Sequence, residues 1–159
     1  MATTTLEAIR DQQEVTILAL TPTKMASDKF RLHRSHMDFR EWAETNLQAC
    51  FRLFHIEDLG DRDDTSETVS NKDLEEVVAT QELILAYPHN QNYGYENRRD
   101  MLDIARADAE QIRLAIGIQG AASYVSGQCL TDADWTYEEG AGVTFVTFEM
   151  SVRFDRATS

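Results

Sequence analysis

The stretch Val146-Thr-Phe-Glu-Met-Ser-Val-Arg-Phe154 decides the fold, because large apolar residues alternate strictly with polar ones along it. Successive side chains of a β-strand point to opposite faces of a sheet, so the alternation predicts a strand with one buried face. A preceding strand is predicted from about 123 to 137. Gly140 and Gly142 can form the turn that pairs these two strands antiparallel.

One apolar stripe marks the clearest helix, predicted over residues 97–116. Spacings of three and four residues place five apolar side chains on one face: Leu102, Ala105, Ala109, Ile112 and Ile116. Asn97 is suited to cap the N-terminus of this helix, and Gly117 can end it. A shorter helix is predicted over 38–48, where Asp38 and Glu41 resemble a capping box.

The other segments complete an α+β pattern. Residues 3–14 are predicted to be helical, whereas the state of residues 15–20 is left open. Strands are predicted over 51–56 and 77–87, the second ended by Pro88. The length of 159 residues, without internal repeats or a linker, predicts a single domain. Its sheet is expected to be mostly antiparallel, with about four strands and with helices packed on one face.

Charge is distributed unevenly along the chain, whose net charge is −13. Residues 57–82 hold ten acidic and two basic side chains, and within them residues 58–73 are predicted to form a long acidic loop. Residues 24–40 have the opposite, basic bias. These segments can be two contact surfaces between copies of the chain or simply two solvated surfaces. The acidity argues against a protein that clamps nucleic acid by neutralising phosphates.

The sequence carries no recognised catalytic or metal-binding motif. The pair His33 and His36 lacks a second Cys or His pair for zinc, and the acidic segment departs from the calcium-loop pattern at Ser66 and Lys72. Phosphate-cradle and nucleophile-elbow patterns are absent from the sequence. We therefore predict no catalytic, metal-binding or cofactor-binding residue, and expect a binding or assembly protein rather than an enzyme.

The sequence also bears on the compartment. It contains no apolar run of 18 residues and no secretory-signal pattern, so we expect a protein that is made in the cytoplasm and does not insert in membranes. Cys50 and Cys129 are too few for a disulfide scaffold and are expected to be reduced, buried thiols.

The order of several motifs resembles the tail-terminator (tail completion) proteins of long-tailed bacteriophages. The resemblance covers about residues 38–155. It rests on Phe39-Arg-Glu-Trp42, Arg52-Leu-Phe54-His-Ile56, a polar loop, Leu83-Ile-Leu-Ala-Tyr-Pro88, the helix start Arg99-Asp-Met-Leu-Asp-Ile104, a strand with Trp135 and the strand Phe145 to Phe154. The motifs describe a layout rather than a catalytic signature.

The resemblance implies a small α+β virion subunit, assembled in the host cytoplasm, that forms a hexameric ring. Such a ring caps the tail tube, stops its polymerisation and joins it to the head connector, while DNA passes through the lumen without specific binding. No cofactor and no reaction are implied. Two alternatives remain open at this point: a head-closure or neck ring protein, and a small cytoplasmic enzyme or regulator.

Charged residues in the two biased segments become candidate contacts to a neighbouring subunit, to the tube or to the lumen. The basic candidates are Lys24, Lys29, Arg31 and Arg34. The acidic candidates are Asp58, Asp61, Asp63, Asp64 and Glu67. Rings are closed by heterologous contacts, in which a patch on one copy meets a different patch on the next, and two unlike patches on one chain suit that arrangement.

Overall fold

The computed structural model describes residues 4–63, 74–89, 97–116, 122–124, 127–131 and 135–157, and within these ranges it confirms an α+β fold. Its helices are α1 (Leu6–Leu18), α2 (Phe39–Thr45) and α3 (Arg98–Ile116), with a short 3-10 turn at Leu47–Ala49. Its strands are β1 (Arg31–Leu32), β2 (Leu53–Asp63), β3 (Leu74–Pro88), β4 (Ala122–Tyr124), β5 (Gly127–Thr131), β6 (Thr136–Glu139) and β7 (Val143–Ala157).

The strands form one mostly antiparallel sheet in the order β1-β2-β3-β7-β5-β4, with β6 also paired to β7. Only the short β1–β2 pair, among the described strands, is parallel. The sheet has more strands than the four predicted. The predicted strand over 123–137 is divided into β4, β5 and β6, and β5 and β6 pair with successive parts of β7. Strands this short carry too few residues to show an alternation.

The predicted buried face of β7 is confirmed, because its five alternating apolar side chains are all less than 5% exposed. They pack with α1 and α3 in the main core, together with Ile9, Ile17 and Ile112. The opposite face is also covered at one end, where Phe39 and Ala43 of α2 pack against Phe145. The helices α1 and α3 thus share one face, as predicted, whereas α2 lies on the other.

Local capping signals correctly predicted where two helices begin. Asp38 Oδ2 accepts a hydrogen bond of 3.3 Å from the Glu41 amide at the start of α2, and Asn97 Oδ1 accepts one of 3.0 Å from the Asp100 amide at the start of α3. These bonds satisfy amide groups that lack partners inside the helix. Gly117, predicted to end α3, lies outside the described residues.

The undecided residues 15–20 resolve largely as helix. The helix α1 begins after Thr5, whose hydroxyl accepts from the Ala8 amide at 3.1 Å, and it continues to Leu18. Ile9, Gln13 and Ile17 lie four residues apart and are all buried. Packing of this stripe on the sheet stabilises helix in a β-branched stretch whose local preference is weak. No helix in the described ranges is long and apolar enough to cross a membrane.

The first six residues of the predicted acidic loop, 58–63, lie in a strand. β2 continues as a strand to Asp63 and pairs with β3, with an irregularity in register between Asp58 and Gly60. Charged residues occupy both the even and the odd positions of 58–63, so this segment shows no alternation of apolar and polar residues that would mark it as a strand. Backbone pairing with β3 extends the strand. The remaining residues of that segment, 64–73, lie outside the described residues.

Candidate interaction surfaces

Four basic candidates lie on one exposed segment between α1 and α2. We call residues 24–34 the basic loop; Lys24, Lys29, Arg31 and Arg34 are all exposed on it. The loop ends in β1, which pairs with β2 and forms one outer edge of the sheet. With Asp28 as its acidic residue, the loop carries a net charge of +3. The structure therefore brings these four cations to one edge of the subunit.

Two of the cations also hold the loop in place. Lys29 Nζ donates a hydrogen bond of 2.8 Å to the Thr21 hydroxyl. Arg31 Nη2 donates to the carbonyl oxygens of Ala49 at 2.5 Å and Phe51 at 3.2 Å. Lys29 and Arg31 are thus structural as well as exposed. A charge reversal at Arg31 would disturb the loop itself.

The buried side chain of Arg52 anchors the basic loop from inside. Its Nη1 donates to the carbonyl oxygens of Met25 at 2.7 Å and Asp28 at 2.6 Å, and its Nη2 donates to that of Lys24. Three carbonyl groups within five residues of the loop thus converge on one guanidinium. This fixes the path of the loop backbone from the core side.

The other donors of Arg52 reach a buried carboxylate on α3. Nε and Nη2 donate to the two oxygens of Asp108 at 2.7 and 3.1 Å, and the Tyr87 hydroxyl donates to Asp108 Oδ2 at 2.8 Å. All five guanidinium N–H groups therefore have an acceptor. Arg52 and Asp108 are both 0% exposed, so neither charge has water to stabilise it. Burial raises the pKa of Tyr87 well above its usual value, and the Asp108 charge adds to that rise.

Arg52 also adopts an unusual backbone conformation, with a φ of 57°, and Met25 in the loop has a φ of 51°. Left-handed backbone in a non-glycine residue costs of order 1–3 kcal/mol and persists where the surroundings enforce it. Here the Arg52 amide donates to the Ala86 carbonyl at 3.0 Å and the Arg52 carbonyl accepts from the Arg31 amide at 3.1 Å. The basic loop is therefore held in one conformation by the core.

Arg52 stands in the motif Arg52-Leu-Phe54-His-Ile56, but nothing in that motif predicts the bond between Arg52 and Asp108. One signal was available. Asp108 lies next to Ala109, on the side of α3 that also carries Ala105 and Ile112, and all of these are buried. A carboxylate inside an apolar stripe requires a cation or several hydrogen-bond donors, which points to a buried basic partner elsewhere in the chain.

A pocket of about 430 Å³ opens beside the basic loop. Four lining residues belong to the basic loop: Ser27, Asp28, Lys29 and Arg31. The other two are Gln48, which lies in the 3-10 turn, and Phe51, which follows it. Two cations and one carboxylate border the pocket. It adds a concave element to the edge on which the basic loop lies.

A row of glutamates crosses the opposite, α2-bearing face of the sheet. Glu57 of β2 is paired in register with Glu82 of β3, and Glu82 is paired with Glu149 of β7. Residues directly opposite each other on antiparallel strands share a face, with Cβ atoms about 4.5–5.5 Å apart. We call Glu57, Glu82 and Glu149 the glutamate row. Glu57 and Glu149 are exposed and the Glu82 side chain is 22% exposed.

Arg40 of α2 offsets part of this negative charge. Its Nη2 lies 3.5 Å from Glu82 Oε1 and 3.0 Å from Glu138 Oε2 of β6. Glu138 thus adds a fourth carboxylate beside the row. Arg40 thus reaches from α2 to the middle of the row, whereas Glu57 and Glu149 on either side of Glu82 remain exposed.

Removing one charge from the glutamate row is expected to stabilise the subunit. Like charges directly opposite each other on a sheet destabilise it, and cross-strand pairs contribute roughly 0.2–1 kcal/mol. We therefore expect Glu149→Gln to raise the free energy of unfolding by about 0.5 kcal/mol in urea denaturation at low salt. Asp11→Asn, an exposed change on α1, is the control and should have little effect. A loss of stability in Glu149→Gln would contradict the expected repulsion.

The predicted acidic candidates divide into three groups. Asp58 lies on the face that α1 and α3 cover, where it forms an ion pair with Arg10 of α1 and accepts a hydrogen bond of 3.1 Å from Gln81 Nε2. Asp61 and Asp63 belong to the end of β2. Asp64 and Glu67 lie outside the described residues. Within the described chain Asp58 is therefore bonded to α1 and the sheet rather than to the basic loop, and it is not available as a free contact.

The histidines near α2 form a ring cluster rather than a ligand set. His33 Nε2 lies 2.9 Å from the Met37 carbonyl, and its ring packs edge-on against Phe39 at 5.4 Å. His55 stacks on Phe39 at 5.9 Å, and burial lowers its pKa. Across the described ranges, no group of three or more His, Cys, Asp or Glu side chains is arranged to hold a metal ion. The two cysteines are buried free thiols, and burial raises the pKa of each to about 11.

Neither protein-family models nor curated protein sequences give a match to this chain. The structure itself shows an α+β protein with a basic edge and an acidic sheet face.

Proposed function

We propose that this chain is the tail terminator of a long-tailed bacteriophage. Copies of it form a ring, hexameric by the family resemblance, that caps the tail tube, stops its polymerisation and joins it to the head connector. The proposal starts from the order of sequence motifs over residues 38–155. One structural observation carries it further: the fold presents a basic loop at the β1 edge of the sheet and a row of glutamates on the α2-bearing face.

Those two surfaces are what a closed ring of identical subunits requires. The basic loop lies at the β1 edge, and Arg52 ties it to α3 on one side of the sheet. The glutamate row lies on the other side of the sheet. Unlike patches on different sides of a subunit support head-to-tail contacts, and these close into rings when the rotation permits.

The motif residues fall on the elements that build the core. Phe39 lies on α2, Phe54 and Ile56 on β2, and Leu83 and Leu85 on β3, and all are buried. Their order along the chain reflects how the sheet is assembled, which suits a structural subunit whose resemblance to a family is one of layout.

Net charge supports passage of DNA through the ring. Each copy carries −13, so an assembled ring is strongly negative. A negative surface repels the phosphate backbone, which favours a channel through which DNA slides without being bound.

The proposal is tested by negative-stain imaging of the protein mixed with purified tail tubes that lack a terminator. We expect rings at one end of each tube and no further growth when tube protein is added. Portal-filled heads are the comparison target. Binding to heads but not to tubes would favour a neck-closure protein instead, and binding to neither would overturn the assembly function.

A further inference from the structure

We propose that the glutamate row of one copy is the docking surface for the basic loop of the next copy. This inference rests on the proposed function for the existence of a ring, and it names the contact that closes the ring. The occupant is a second copy of this chain, seated on the exposed surface around Glu57 and Glu149.

Among the side chains that the structure describes, carboxylates outnumber cations around the glutamate row. Glu57, Glu82 and Glu149 lie side by side on three adjacent strands. Glu138 is close to them because Arg40 contacts both Glu82 and Glu138. Arg40 supplies one positive charge against these four carboxylates. Arg153 lies on the same face but four residues further along β7. A cationic partner above the row would relieve the repulsion, which favours binding over the free state.

The basic loop is suited to be that partner because it is already ordered. Arg52 fixes the backbone of residues 24–28 from within the core, so the loop has little conformational freedom left to lose when it binds. Lys24 and Arg34 are exposed and lie toward the two ends of the loop. They therefore present separated positive charges on a rigid support, opposite in sign to the row.

The part of the basic loop that carries Lys24 lies on the α3 side of the sheet, away from the glutamate row, whereas His33 near its other end packs on the α2-bearing face. The loop is tied to α3 by Arg52 and by the Gln111 side chain, whose Nε2 donates to the Thr21 carbonyl at 2.7 Å. Burial raises the pKa of Glu14 on α1, and the positive charges of Arg10 and Arg34 oppose that rise, so Arg34 also acts on the helix side. The glutamate row lies on the opposite face. Lys24 and the row therefore lie on different sides of the sheet, so a contact between them joins two copies head to tail.

A charge-swap experiment tests the contact on the full-length chain. The face variant carries Glu57→Lys and Glu149→Lys, and the loop variant carries Lys24→Glu and Arg34→Glu. Arg31 is left unchanged because it bonds the loop to its own subunit. Matched controls make the same charge changes on exposed helix positions: Glu7→Lys with Asp11→Lys, and Arg99→Glu with Arg106→Glu. Self-association is measured by sedimentation in low salt.

We expect each variant alone to associate about tenfold or more weakly than the wild type, because each brings like charges together. An equal mixture of the two variants should recover association, since the loop of the face variant still matches the face of the loop variant, and the two reversed surfaces match each other. A chain with all four substitutions should recover it as well. The controls should resemble the wild type, and added salt should weaken the wild-type contact.

Three results would overturn the inference: wild-type association in either single variant, no recovery in the mixture, or a wild-type chain that stays monomeric up to about 1 mM in low salt. The face variant should keep or raise its melting temperature, because lysine beside Glu82 replaces repulsion with attraction, so a loss of association cannot be ascribed to unfolding. Tube capping is scored separately. If the protein caps tubes but the charge-swap experiment shows no contact, the proposed function stands and the inference fails. If the contact is found but tubes are not capped, the inference stands and the proposed function fails.

Discussion

Replacing Asp108 by alanine is expected to lower the free energy of unfolding by about 3–5 kcal/mol, because it leaves the fully buried Arg52 guanidinium without its counter-ion. The Arg52 side chain loses both carboxylate oxygens as acceptors, and the Tyr87 hydroxyl loses its acceptor as well. Urea denaturation measures the change. Asp103→Ala on the exposed side of the same helix is the matched control and should cost well under 1 kcal/mol.

The same variant should also loosen the basic loop. Arg52 bonds the carbonyl groups of Met25 and Asp28 only while its guanidinium is held in position. We therefore expect faster amide hydrogen exchange over residues 24–30 in Asp108→Ala than in the wild type, under conditions in which both remain folded. An Asp108→Ala chain as stable as the Asp103→Ala control would contradict the buried pair, and unchanged exchange in the loop would contradict its anchoring role.

Replacing Phe148 by alanine is expected to cost about 3–5 kcal/mol, since the ring is 3% exposed and packs in the main core. The loss combines the removed apolar surface with the cavity that close-packed neighbours cannot fill. Thermal and urea denaturation both measure it. Ser151→Ala, exposed on the opposite face of the same strand, should change stability by less than about 0.5 kcal/mol.

Thr147 completes the comparison because it lies on the far face yet is only 4% exposed. Its hydroxyl lies 2.6 Å from that of Thr136 on β6, so Thr147→Ala should cost about 1 kcal/mol, between the other two variants. Equal losses for Phe148→Ala and Ser151→Ala would contradict a single main core on one side of β7.

Local patterns predicted the elements whose signals lie within the element itself or directly next to it. Asp38 and Asn97 are caps whose partners lie three residues away, and the apolar residues of β7 mark one face within a single strand. Such signals need no knowledge of the rest of the chain. β6 illustrates the opposite case: its four residues are all exposed, and only pairing with β7 makes it a strand.

Both interaction surfaces depend on positions far apart in the sequence. The glutamate row joins residues 57, 82 and 149 through strand register, and the basic loop is anchored by a bond between residues 52 and 108. The four cations of the loop were predictable as a charge bias. The anchoring of the loop backbone was not, because it comes from the buried Arg52 guanidinium. The acidic candidates share a high local charge density, which does not distinguish Asp58, bonded to Arg10, from an open carboxylate.

Periodicity and charge are local properties of a chain, and they were enough to predict the α+β class, the caps of α2 and α3, the buried face of β7 and the separation of basic from acidic segments. Three features could be seen only in the folded chain: the register that aligns three glutamates, the opposite placement of α2, and the burial of Arg52 against Asp108. These features arise when distant strands and helices pack together, so no single segment of the sequence encodes them.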